Sequence, residues 1–123
     1  MAKVAQTRLV ADCTPLEKGV VKSILQKYID EVRGLQAAGK PVSSHLKPLR
    51  ILEINGDILV TDGAHRLKAL VECGEMVAPV IVDSKGAYEL RTYQRELDLR
   101  LAEGLKGGAQ LKVCDTDEER QSL

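Results

Sequence analysis

Apolar positions along the chain follow two different periods. Val20, Val21, Ile24, Leu25, Tyr28, Val32 and Leu35 recur at steps of one, three and four residues, which is one stripe of an amphipathic helix. The stretch before them, Thr14-Pro15-Leu16-Glu17, has the form of a helix start. Thr14 suits the cap, Pro15 the first helical position, and Glu17 the third residue of a capping box. Gly39 and Pro41 end this predicted helix. A second stripe, Leu90, Tyr93, Leu97 and Leu101, predicts another helix after Gly86, closed by Leu105 and Gly107-Gly108. Val42 to Lys47 reads as a loop, and Thr7 to Asp12 as a first strand.

Between the two helices the period changes. Leu49 to Ile54 and Asp57 to Thr61 are branched, apolar runs separated by Asn55-Gly56. Two residues that tolerate positive φ between two such runs predict a tight hairpin. Asp62-Gly63 ends the second strand, Ala64 to Cys73 predicts a helix with Gly74 as its stop, and Ala78 to Val82 predicts a further strand. The predicted order is strand, helix, hairpin, helix, strand, helix. That is an α+β (mixed α/β) fold with a short mixed sheet flanked by helices. One domain over residues 1–110 is expected, followed by a charged tail over 111–123 without fixed structure.

Composition narrows the function. With no Phe, no Trp and three Tyr among 123 residues, the core is aliphatic, and a stacking platform for single-stranded nucleic acid is excluded. Lys plus Arg and Asp plus Glu are both 18, so the formal charge is zero, unlike a dedicated DNA binder. The charge is unevenly spread: residues 1–50 carry 9 basic and 4 acidic side chains, and residues 51–83 carry 2 and 6. Cys13, Cys73 and Cys114 are widely spaced and odd in number, which predicts reduced thiols rather than a disulfide framework or a zinc site. With no long apolar run and no leader pattern, the expectation is a cytoplasmic protein with no membrane partner.

The junction from Val60 to Leu70 carries the chemistry. A strand passes through a glycine turn directly into a helix, whose first N–H groups have no partner inside the helix. The helix dipole adds partial positive charge there, and Gly63 permits close approach of a ligand to the backbone. His65 and Arg66 put a titratable donor and a permanent guanidinium in the first turn, with the Asp62 carboxylate beside them. This combination predicts an anion site, above all for phosphate. Arg66→Ala is then expected to weaken phosphate binding far more than folding. His45 and Lys47, in the preceding loop, are further candidates to reach the same site. His45 and His65 are the only histidines, so a His-rich metal site is excluded and no protein-held metal is predicted.

Asp62-Gly63-Ala64-His65-Arg66-Leu67-Lys68-Ala69-Leu70, followed by Gly74 and the run Ala78 to Val82, resembles the ParB/sulfiredoxin superfamily. The resemblance spans residues 41–95. It implies that Gly63, Ala64, His65 and Arg66 line a nucleotide-phosphate site, with Asp62 at its edge as polariser or metal contact. It also implies a nucleoside triphosphate, ATP or CTP, with Mg²⁺. The expected function is phosphoryl-directed chemistry, meaning nucleotide hydrolysis or transfer, or phosphodiester cleavage, with Asp62, His65 and Arg66 as the catalytic set. The alternative is a non-catalytic DNA- or protein-binding module of plasmid or phage type, with nucleotide as a conformational ligand. Sulfiredoxin chemistry is not expected, because Ala64 stands where that family member needs a cysteine. A homodimer through the second long helix is a further expectation, since Leu99 and Leu105 lie off its stripe.

Overall fold

The structure is a computed structural model that describes residues 5–123. Its strands are β1 (Gln6–Leu9), β2 (Cys13–Pro15), β3 (Gly19–Val21), β4 (Leu49–Ile54), β5 (Asp57–Asp62), β6 (Val77–Val82) and β7 (Lys112–Cys114). Its helices are α1 (Lys22–Ala37), α2 (Val42–His45), α3 (Ala64–Glu72), α4 (Ala87–Ala102) and α5 (Asp117–Gln121). Five strands form one sheet in the order β1-β6-β4-β5-β2, and β3 and β7 form a separate two-stranded parallel pair. In the large sheet β1 is antiparallel to β6 and β4 to β5, while β4–β6 and β2–β5 are parallel. The fold is therefore α+β with a mixed sheet.

The hairpin forms where Asn55-Gly56 predicts it. Both residues take positive φ, 50° and 85°, as the twist of two adjoining strands demands of a two-residue loop. β4 and β5 are covered on both faces, which is why they read as nearly unbroken apolar runs. Ile51, Ile58 and Val60 point into the larger core beneath α1 and α3, with Leu25, Val32, Leu67 and Leu70. Leu52, Ile54 and Leu59 point the other way, against Leu97 of α4. The predicted stripe of α4 does the work expected of it, with Leu90, Tyr93 and Leu101 packed around Leu97. Leu105 is buried, contrary to expectation, whereas Leu99 is exposed. No described helix is long and apolar enough to cross a membrane.

Four expectations are corrected. Thr14 does not cap a helix: it is a buried residue of β2 paired with Leu59, and α1 begins only at Lys22. Between them the β-branched Val20-Val21 forms β3. The predicted first strand stops at Leu9, and Val10–Asp12 is a turn of 3-10 helix. The predicted loop from Val42 contains the one-turn helix α2. Residues 111–123, expected as a tail without fixed structure, instead form an arm in which β7 pairs with β3 and α5 is capped by Thr116.

Candidate functional site

The strand-to-helix turn is built as the sequence predicts. Asp62 ends β5, Gly63 follows at φ 116°, and Ala64 opens α3. Glycine is required at this turn both by that φ and by space. A Cβ on residue 63 would stand 2.6 Å from Leu49 Cδ2 and 3.1 Å from Arg66 Nη2. No side chain caps the start of α3, so the positive end of its dipole is left to the surroundings. The turn opens on a crevice of about 190 Å³ walled by Glu17, Asp62, His65, Asp117 and Arg120.

His65 reaches out of α3 to another helix. Its Nε2 accepts a 2.9 Å hydrogen bond from the backbone N–H of Val21, the residue that precedes α1. The ring thus takes the place of a capping side chain for a helix that has none of its own. A neutral imidazole that accepts at Nε2 carries its proton on Nδ1. Burial, and then the nearby Arg120 guanidinium, hold the His65 pKa below its ordinary 6.5, against the smaller opposite pull of Glu17 and Asp117. His65 is therefore a neutral ring at pH 7, with an Nδ1–H donor.

Arg66 does not face the crevice. Its side chain is buried behind the turn, where Nη1 donates to the carbonyls of Lys47 (2.9 Å) and Pro48, and Nη2 to Asp62 Oδ2 at 3.3 Å. The guanidinium expected at the phosphate instead fastens the turn to the segment entering β4. Its partner Asp62 is largely exposed at the rim. His45 and Lys47 line a different groove, of about 610 Å³, with Gln6, Thr7 and Ser43. Lys47 meets the box only through its carbonyl, and neither residue lines the crevice.

Three charged residues of the crevice lay outside the sequence-derived site: Glu17, Asp117 and Arg120. Arg120 bonds Asp117 Oδ1 at 2.7 and 2.9 Å and reaches across to Glu17 Oε2 at 2.9 Å. One signal for the arm was present in the sequence, since Thr116-Asp117-Glu118-Glu119 is a capping pattern, and Thr116 Oγ1 does accept from the Glu119 N–H.

No protein-family model matches the chain, and no curated protein does. Solved structures do. Sulfiredoxin from Arabidopsis thaliana superposes with a TM-score of 0.57 at 14% identity, over 75% of this chain and 98% of that one. The C-terminally truncated chromosome-partitioning protein ParB from Caulobacter crescentus, complexed with CTP-γ-S, gives 0.51 at 11% identity, over 83% of this chain and 53% of that one. The chain has a ParB/sulfiredoxin-like fold. A free serine kinase in complex with AMP gives a TM-score of 0.55 at 23% identity over 70% of this chain, and this chain spans only 34% of the kinase. The ParB/sulfiredoxin-like fold agrees with the resemblance carried by the box and the Pro79-Val80-Ile81-Val82 run. Ala64 packs into the core and also lines the crevice. Cys13 is also buried in that core, and burial pushes its thiol up to about 11.

Proposed function

We propose that this protein binds the phosphate end of a nucleotide at the Asp62–His65 turn and directs phosphoryl chemistry there. The observation that carries the reading is the uncapped start of α3, held open by Gly63 at φ 116° over a crevice lined by charged and apolar side chains in equal part. Two structural neighbours that share the fold hold nucleotides, AMP in the free serine kinase and CTP-γ-S in ParB. The crevice is smaller than the roughly 300–1,000 Å³ of sites that enclose a whole drug-sized ligand. It suits the phosphates, with the nucleoside lying over open surface.

In this reading each box residue takes a role. The amides at the start of α3 face the anion, and the dipole favours negative charge there. His65 offers Nδ1–H and, being neutral, adds no proton to the phosphate. Arg66 positions the turn from behind rather than touching the ligand. Asp62, at the rim, is the group placed to polarise a nucleophile or to meet a metal. No cluster of three or more metal-ligating side chains exists among the described residues, so Mg²⁺ would ride on the nucleotide's phosphates and meet Asp62 through one carboxylate. The chemistry open to such a site is hydrolysis, transfer or phosphodiester cleavage, driven by electrostatic stabilisation of the moving phosphoryl group. A continuous basic stripe from the N-terminal helix to Arg66 would favour the DNA-binding alternative, and the Arg66 side chain is buried.

Calorimetry and thermal shift with ATP and CTP, with and without Mg²⁺, test the reading. A saturating nucleotide should raise the melting temperature, and adenosine or cytidine should not. Failure of every nucleotide to bind at millimolar concentration would overturn it.

A further inference from the structure

Arg66 faces away, so the crevice needs another source of positive charge. Among the described residues that line it, Arg120 is the one lysine or arginine. It lies more than fifty residues beyond the box, on α5, and its placement is built rather than incidental. β7 is zipped to β3 in parallel register, with Val20 opposite Val113 and Val21 opposite Cys114. Cys114 is buried, Lys112 N–H donates to Lys18 O, and Thr116 caps the helix that carries Arg120. Val21, at the end of that pairing, is the residue whose N–H is held by His65. One chain of bonds therefore runs from the box through β3 to the arm.

The partners of Arg120 differ in kind. Asp117 is on the same helical turn and moves with it, whereas Glu17 stands on the loop before β3 and is reached by Nη1 alone. Glu17 and Arg120 both line the crevice. We propose that Arg120 is the phosphate-binding cation of this site, delivered by the 111–123 arm, and that Glu17 holds it in the free protein and yields it to the phosphate. The proposal rests on the phosphate reading above. Its chemistry is the exchange of one charge-assisted bond for another: Arg–carboxylate for Arg–phosphate, with the guanidinium fork matched to either anion. Asp117 keeps Nε and Nη2 oriented in both states, so only Nη1 changes partner.

The test is calorimetric binding of ATP and CTP, each with Mg²⁺, to the full chain and to three variants. Adenosine and cytidine are the phosphate-free controls. Arg120→Ala should weaken triphosphate binding about ten-fold or more, the loss of a bond to a charged group. Arg120→Lys, which keeps the charge and loses the fork, should fall between Arg120→Ala and the parent chain. Glu17→Gln breaks the same arm-to-loop ion pair but keeps the cation, and should bind as tightly as the parent chain or more tightly. Equal weakening in Glu17→Gln and Arg120→Ala would mean that the ion pair only tethers the arm, and would overturn the proposal. So would parent-like affinity in Arg120→Ala, while nucleotide binding by the parent chain left the phosphate reading standing. A parent chain that binds neither triphosphate overturns both. Should Arg120→Ala fail to fold, the comparison of Arg120→Lys with Glu17→Gln decides the matter.

Discussion

Two segments wall the crevice, and they carry the same four-residue pattern. Thr14-Pro15-Leu16-Glu17 and Thr116-Asp117-Glu118-Glu119 each place a threonine three residues before a glutamate. The second folds as a capped helix; the first is a strand running into a loop. The difference lies in their neighbours. Cys13, Thr14 and Pro15 are all buried against β5, so ladder pairing with Ile58 to Val60 outweighs a local cap. Residues 115–119 are exposed, nothing competes for Thr116 Oγ1, and the local bond forms. Arg66, behind the crevice, and Arg120, in its wall, repeat the contrast. Arg66 is buried and bonded to carbonyls 18 and 19 residues away, and Arg120 is ion-paired on a short surface helix. A local motif determines structure where the surroundings are solvent, and yields where long-range burial is available.

The harshest way to break this comparison is Thr14→Asp. Aspartate is as good a cap as threonine, so a capping role would leave stability unchanged. In the buried strand the new carboxylate has no counter-charge, and a loss of about 3–5 kcal/mol in denaturant unfolding is expected. Next comes Arg66→Ala. It removes a buried guanidinium that ties the turn to two carbonyls of the segment entering β4, and unfolding should show a loss of about 2–4 kcal/mol. That outcome reverses the expectation from sequence, in which binding would suffer far more than folding.

Acid sharpens the comparison at His65, the ring that joins the two walls. Its folded pKa is below the ordinary 6.5, so the unfolded chain takes up the proton first. This group's contribution is fully present above pH 6.5 and is lost as pH falls through the depressed folded value. The melting temperature should fall between pH 7.5 and 5.5, and His65→Gln should flatten that fall. A slope unchanged by the substitution would remove the ring from the account. The smallest effects belong to the arm. Thr116→Ala should cost about 1 kcal/mol, seen as faster amide exchange over 112–121, and Thr116→Asp should be close to neutral.

These residues also show what was legible in the sequence. The hairpin, the Gly63 turn and α3 depend on contacts a few residues apart, and so did their signals, while β6 and α4 have distant partners but carry their own apolar run and stripe. Asn55-Gly56 and Gly63 report backbone conformations that few other residues adopt. The three-residue strands β2, β3 and β7 are held by partners far along the chain, and their own residues say little about it. In the site, the position of the turn was legible and the direction of its arginine was not. Arg66 follows Ala64-His65 in the first turn of a helix and reads as a surface cation. The carbonyls of Lys47 and Pro48, brought up by the path into β4, join Asp62 in making its burial favourable. Arg120 was overlooked for the converse reason, because a run of charges looks like a solvated tail.

The β3–β7 pairing also bears on the order in which the molecule is assembled. The two strands lie roughly ninety residues apart in sequence. Closing so long a loop costs chain entropy before any contact rewards it, and contacts of this kind form late in folding. α5 has five residues, too few to hold together alone in water, so it waits for β7 to dock. On a ribosome the hairpin and α3 emerge well before residue 112. The protein therefore passes through a stage in which the Gly63 turn has already emerged and the wall bearing Arg120 has not, and the crevice is finished only by the last strand to arrive.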